Sequence, residues 1–211
     1  MLVWSIMKSD MPIIQTAKFL KGIIGTDSVL ERPERQIAFI GRSNVGKSSL
    51  QNYLLGRNKL VKASARPGKT TEINIFEVAV NDSEGHLLFV DLPGYGFARM
   101  GEKQREKLRK LILWYLVDTD PVSRVVFVVV DATVGVTEFD SAVIAMLKER
   151  GERFAIVFNK IDKLNQSQKH ELRKANETYG EVRSFYTSTL KKRGGPELWE
   201  YLLTEKHSVS H

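Results

Sequence analysis

The sequence predicts an α/β fold: a mostly parallel six-stranded sheet with one antiparallel strand and helices on both faces. Three observations carry this expectation. Short apolar, β-branched runs alternate with longer segments of helical periodicity. Two of the runs, 72–80 and 86–91, are separated only by Asn81-Asp82-Ser83-Glu84-Gly85, a hairpin signal that sets one strand antiparallel. The run 36–40 ends in a glycine-rich loop that opens a helix.

Residues 1–33 read as an N-terminal extension packing along the domain. Within it, Pro12 to Ile24 places Ile13, Ile14, Ala17, Phe19, Leu20, Ile23 and Ile24 in a mildly helical pattern, with Gly22 and Gly25 against it. The main domain is expected over 34–204. Its first strand is 36–40, followed by a helix over 46–56 with Leu50, Leu54 and Leu55 at helical spacing and Gly56 as a stop. Further helices are predicted at 102–117, 137–150, 167–179 and 195–204, and further strands at 72–80, 86–91, 124–131, 153–158 and 182–186. Asp131 reads as a cap for the loop after its strand. Trp114, Tyr115 and Trp199 read as packing anchors. Residues 205–211 are expected to be a flexible tail.

Composition narrows the class. The chain has 211 residues, 42% hydrophobic and 27% charged, as expected of one globular domain. It contains no cysteine, which excludes disulfides and thiolate metal sites, and its four histidines lack metal-ligand spacing. Apolar runs such as 125–130 are too short to span a bilayer, and the first residues do not resemble a secretory signal. Met7 and Met11 are alternative starts. A cytoplasmic monomer with no membrane partner is expected.

The loop 41–48 reads GRSNVGKS. Gly41 and Gly46 let the backbone curl so that amides along Arg42, Ser43, Asn44, Val45 and on to Ser49 point at phosphate oxygens. The helix N-terminus adds a dipole favourable to an anion. Lys47 is placed to reach the β- and γ-phosphates, and the Ser48 hydroxyl to ligate Mg²⁺. Alone, this loop does not separate an ATPase, a kinase and a GTPase.

The base is read elsewhere. Asn159-Lys160-Ile161-Asp162 follows the apolar run FAIVF at the carboxyl end of a strand, where ligands of open parallel sheets bind. The Asp162 carboxylate can accept hydrogen bonds from guanine N1–H and the 2-amino group, and adenine offers neither. Asn159 can tie this loop to the phosphate loop, and the Lys160 stem can cover the base. Amides of Ser188, Thr189 and Leu190 are candidates for the guanine 6-oxygen.

Two segments are expected to sense the γ-phosphate. Asp91-Leu92-Pro93-Gly94 ends the strand 86–91: Asp91 would hold Mg²⁺ through a water, and the Gly94 amide would contact the phosphate. The other sensor falls in 58–71, where Pro67-Gly68 marks a turn. Gly68, Lys69 and Thr70 are its candidates. Thr70 is favoured over Thr71 to give its hydroxyl to Mg²⁺ and its amide to the phosphate, which makes Lys47 and Thr70 the expected catalytic residues. Tyr95 stands where many GTPases place a Gln that orients the attacking water, so slow intrinsic hydrolysis is expected. Asn44 is a candidate for holding K⁺ against the phosphates; a loop-stabilising role reads equally well.

Together these residues resemble the EngB (YihA/YsxC) family of the TrmE-Era-EngA-YihA-Septin-like class. The resemblance rests on GRSNVGKSSL at 41–50, ARPGKT at 65–70, DLPGYGFA at 91–98, NKID at 159–162 and STLKK at 188–192, and covers about 32–203. It implies a P-loop GTPase (G domain) that acts in large ribosomal subunit assembly and is needed for normal cell division. It also implies Thr70 as the switch threonine and Tyr95 as the bulky replacement for Gln. NKID stands for the more frequent TKxD and keeps the base-reading Asp; Thr71 stands where members often have Gln, and no consequence attaches to it.

The net charge of +7 and isoelectric point near 9.5 exceed what a nucleotide requires. Arg57, Lys59, Lys62, Arg66 and Lys69 form an acid-free cluster. Arg99, Lys103, Arg105, Lys107, Arg109 and Lys110 form a second cluster with Glu102 and Glu106 among them, and Lys191, Lys192 and Arg193 form a third. Contact with rRNA is the expectation for the acid-free first cluster, while for the helix, where acids are interleaved, a solvated charged face competes fairly. The alternative function is a nucleotide-gated protein-binding module at the division site without direct RNA contact.

Overall fold

The structure, a computed structural model, describes residues 11–61, 72–81, 85–96 and 101–204. Among these residues seven strands are formed: β1 (Ile14–Ile23), β2 (Arg35–Gly41), β3 (Ile73–Val80), β4 (His86–Asp91), β5 (Arg124–Asp131), β6 (Phe154–Asn159) and β7 (Ser184–Tyr186). Five α-helices accompany them: α1 (Lys47–Leu54), α2 (Glu102–Val117), α3 (Glu138–Glu149), α4 (Gln166–Asn176) and α5 (Gly195–Thr204). The sheet order is β1-β3-β4-β2-β5-β6-β7, and only β3 runs against its neighbours.

The seventh strand corrects the expectation of a helical pattern over 12–24. β1 pairs with β3 from Ile14↔Val80 to Ile23↔Ile73, and its register shifts twice, between Ile14 and Thr16 and between Phe19 and Lys21. A bulge inserts one residue and shifts the inward phase of a strand. The inward positions therefore fall at Ile14, Ala17 and Leu20, a three-residue step that imitates a helix. Glu77 on β3 clamps the strand, meeting Lys18 at 2.6 Å and Arg32 at 2.8 Å. These two cations hold the Glu77 carboxyl down to about 2.

Strand alternation divides the core between the two faces. Ile37 and Phe39 of β2, with Val125, Phe127 and Val129 of β5, pack against Leu50 and Leu54 of α1 and Leu198, Trp199 and Leu202 of α5. Ala38, Ile40, Val126, Val128 and Val130 face Leu108, Ile112 and Tyr115 of α2 and Val143, Ile144 and Leu147 of α3. Trp199 is the packing anchor expected of it, buried and donating from Nε1 to the Leu54 carbonyl at 3.1 Å. β2 lies between β4 and β5; the connection after β2 runs to β3 on one side of it, and those after β4 and β5 run the other way across the sheet. The carboxyl ends of β2, β4, β5 and β6 converge there, the switch point at which open α/β sheets bind ligands.

Candidate functional site

The loop after β2 is shaped by close approach. A Cβ at Gly41 would collide with the Val129 carbonyl, and one at Gly46 with the side-chain amide of Asn159. Gly46 adopts φ 94°, a left-handed value that glycine takes without penalty. Asn44 is also left-handed, at φ 68°, a conformation asparagine tolerates better than most residues. That gives Asn44 a reason to be in the loop apart from any cation.

Helix α1 starts at Lys47 with no side-chain cap and no acidic residue in its first turn. Its first amides and its dipole thus face the loop without a built-in anion. Lys47 is buried and ion-pairs with Asp91 at the end of β4. Gln51, one helical turn on, donates to the same Asp91 oxygen at 2.5 Å and is fully buried. Sequence reasoning overlooked Gln51; its i+4 spacing from Lys47 was the available signal. The Ser43 hydroxyl and the Gln51 amide oxygen are buried with no hydrogen-bond partner among the described residues.

The segment after Asp91 lies directly on the loop. The Ser43 amide donates to the Tyr95 carbonyl at 2.7 Å, and the Tyr95 amide to the Gly41 carbonyl at 3.4 Å. Leu92 and Pro93 are buried, and a Cβ at Gly94 would stand 3.1 Å from the Ser43 hydroxyl. The Tyr95 side chain is buried too. Its hydroxyl donates to Asp140 of α3, and its ring centroid lies 4.3 Å from that of Phe139. Burial pushes the Asp140 carboxyl up to about 6, with the Thr137 amide and Arg42 pulling the other way.

At the base end, β6 delivers Asn159, whose amide donates to the Val45 carbonyl at 3.0 Å and whose oxygen accepts from Thr187 at 3.2 Å. Lys160, at φ 68°, places its ammonium 2.5 Å from the Asn44 carbonyl and 2.6 Å from the Asp131 carboxylate. Asp131 also accepts from the Thr133 amide and hydroxyl, at 3.0 and 2.7 Å. The loop cap read from the sequence is therefore present, and the same carboxylate also holds Lys160. Burial works against ionisation of Asp131, but Lys160 and Thr133 outweigh it and keep the carboxyl below its ordinary range. The Ser188 hydroxyl donates to Asp162 and accepts from the Lys191 amide at 3.1 Å, while Leu190 is exposed.

The structure thus gathers Gly41–Ser49, Asp91–Gly94, Asn159, Lys160, Asp162 and Ser188–Leu190 at one end of the sheet. Gly68, Lys69, Thr70 and Thr71 lie outside the described residues. So do Lys62 and Arg66 of the first basic cluster and Arg99. On α2, Lys103, Arg105, Lys107, Arg109 and Lys110 are all exposed, as are Lys191, Lys192 and Arg193.

This fold, with a phosphate loop, an Asp-Leu-Pro-Gly turn and an Asn-Lys-Ile-Asp turn at one switch point, is that of the P-loop GTPases. A family model described as "50S ribosome-binding GTPase" matches residues 36–160. The chain is 39% identical over 185 residues to the "Probable GTP-binding protein EngB" of Metamycoplasma arthritidis, covering 87% of this chain and 97% of that one. It is 41% identical over 189 residues to the protein of the same name from Porphyromonas gingivalis, covering 85% and 91%. A crystal structure of a probable GTP-binding protein engB superposes with a TM-score of 0.62 at 25% identity, covering 80% of this chain and 96% of that one. Era, solved with MgGDPNP and a segment of 16S ribosomal RNA, shares the fold with a TM-score of 0.65 at 24% identity, covering 85% and 60%. The chain belongs to the EngB family of GTP-binding proteins.

Proposed function

We propose that the chain is a slowly GTP-hydrolysing switch that engages the large ribosomal subunit during its assembly, and through that role supports normal cell division. The observation that carries the nucleotide half is the Asn159 bridge to the Val45 carbonyl, which fixes the base-reading turn to the phosphate loop. In this reading Asp162 reads the guanine edge, Lys160 covers its face, and the amides of Ser188–Leu190 meet its 6-oxygen. Lys47 and the uncapped start of α1 receive the phosphates. Thr70, with Gly68 and Lys69, forms the first sensor, and the Gly94 amide belongs to the second.

The donors present suit Mg²⁺. The Ser48 hydroxyl and the Asp91 carboxylate are hard oxygen ligands, and the unpartnered Gln51 oxygen belongs to the amide bonded to Asp91. When bound, the ion would neutralise charge on the β- and γ-phosphates. Tyr95 commits its hydroxyl to Asp140, which leaves it no free group to orient an attacking water. In this reading hydrolysis is slow without an activator. Comparing turnover in potassium and sodium tests the role of Asn44 toward K⁺, and equal rates would remove it.

The ribosomal half rests on the acid-free basic cluster Arg57, Lys59, Lys62, Arg66 and Lys69, on the net charge of +7, and on the ribosome-binding description of the matching family model, with the exposed basic residues of α2 as a weaker support because acids are interleaved there. Expected partners are GTP or GDP and the large subunit with its rRNA, met by a cytoplasmic monomer. No helix among the described residues is long and apolar enough to cross a membrane.

Two experiments test the proposal. Asp162→Asn should lose GTP affinity and gain affinity for xanthosine triphosphate; unchanged GTP binding would sink the base assignment. Co-sedimentation with purified large subunits should succeed with a non-hydrolysable GTP analogue and weaken with GDP and with rising salt. No binding in any state would leave a nucleotide-gated module directed at protein partners.

A further inference from the structure

We infer that Tyr95 is the positioning residue of the γ-phosphate sensor, and that its phenol transmits the nucleotide state to helix α3 through Asp140. The inference rests on the proposed role of the neighbouring Gly94 amide. It accounts for what Tyr95 does at a position where an amide side chain is common.

Tyr95 is held from two sides. Its main chain is paired with the phosphate loop through Ser43 and Gly41. Gly94 sits so close to Ser43 that a Cβ would be 3.3 Å from the Ser43 Cα, and Gly96 turns at φ 78° against the Arg42 side chain. This stretch therefore has little freedom relative to the loop. On its other side the phenol donates to one oxygen of Asp140, while the second oxygen of Asp140 accepts from the Thr137 amide at 2.8 Å and hydroxyl at 2.6 Å. Thr137 and Asp140 form the capping box of α3. One carboxylate thus joins Tyr95 to the first turn of that helix.

Both ends of the connection are buried, with Tyr95 4% and Asp140 2% exposed. Buried hydrogen-bonded networks resist gradual deformation. A movement of the Gly94 amide with γ-phosphate must carry α3 along or break the phenol bond. The same turn also touches α2, because the Arg109 guanidinium lies 5.4 Å from the Phe139 ring centroid. A shift at the start of α3 thereby reaches the exposed basic helix. The connection holds Gly94 against Ser43 of the phosphate loop, and so supports the state in which the Gly94 amide meets the γ-phosphate.

The test uses the full chain with GDP and with a non-hydrolysable GTP analogue, reading nucleotide affinity and amide hydrogen exchange over 137–141. In the parent, exchange in this turn differs between the two nucleotides. Tyr95→Phe keeps the ring and removes the bond. It should lower the ratio of analogue to GDP affinity about fivefold, the small end of allosteric coupling, and abolish the exchange difference. Thr137→Ala should speed exchange in both states and leave that ratio unchanged, which separates loss of a cap from loss of the connection. Asp140→Ala, which removes the phenol's acceptor from the α3 side, should reproduce the lowered ratio. If both breaking variants fold and keep the parent's ratio and exchange difference, the inference is overturned. If Tyr95→Phe does not fold, an Asp140→Ala that behaves like Thr137→Ala overturns it as well. A parent that binds neither nucleotide would instead overturn the proposed function, and the inference with it.

Discussion

At the base end of the site, Asn159, Lys160, Asp162 and Ser188 are each held by a neighbour, whereas the phosphate end keeps buried groups with no partner among the described residues. Asn159 is fixed between Val45 and Thr187, and Lys160 between Asn44 and Asp131. Across the sheet switch point, α1 begins uncapped, and Ser43 and Gln51 each carry a buried oxygen without a partner among the described residues. Two other helices are finished differently: α3 and α4 both start with complete capping boxes. A rigid end suits discrimination between bases, because the reading groups do not relax toward the wrong one. An end with unmet hydrogen-bonding capacity suits a ligand group that comes and goes.

The largest test of this division is Lys47→Ala. It removes the Lys47 cation from the phosphate end and leaves Asp91 with Gln51 as its side-chain partner among the described residues. Affinity for GTP should fall about a hundredfold, on the scale of charged hydrogen bonds, while preference for guanine over adenine persists. Titration with fluorescent nucleotides measures both, and a parallel loss of base preference would show that the two ends are not separable. Asp131→Asn should cost about tenfold in affinity by loosening Lys160, and equally for GTP and GDP. An unequal loss would mean that the base end senses the γ-phosphate. Thr137→Ala should cost about 1 kcal/mol of stability and lower the melting temperature by about 2–4 °C. No corresponding cap exists at the start of α1 to remove.

The smallest effect concerns pH. The Asp140 carboxyl lies near 6 in the folded protein against an ordinary 3.8. Between those values the native state holds a proton that the unfolded chain has released. The contribution of Asp140 is therefore complete below about pH 4 and lost as pH rises through 6. Urea unfolding across that window should show the fall, and Asp140→Asn should flatten it. Glu77 acts with the opposite sign: held near 2, its contribution is present above 4.5 and lost as pH falls toward 2.

Legibility in the sequence follows the same divide between local and distant. GRSNVGKS, DLPG and NKID are contiguous, and each follows an apolar run, so motif and strand end could be read together. The groups that support them are not contiguous. Asp131 holds Lys160 from another strand, and Asp140 holds Tyr95 from a helix 45 positions on, a relation visible only once β4 and α3 are packed. β1 was hidden for a different reason. Its two register shifts turned a two-residue alternation into a step of three, and periodicity alone cannot tell that from a helix. The strands β2 to β6 lack such shifts, and their positions follow the sequence closely.

The clamp on β1 has a consequence for solubility. β1 covers what would otherwise be the bare margin of β3, a row of main-chain donors and acceptors with Phe76 beside it, the kind of template on which sheets grow from molecule to molecule. Its own outer margin is poorly suited to that role, being bent at two bulges and studded with exposed Lys18 and Lys21. The first strand thus works as a hem, ending the sheet where a neighbouring chain could begin to add to it.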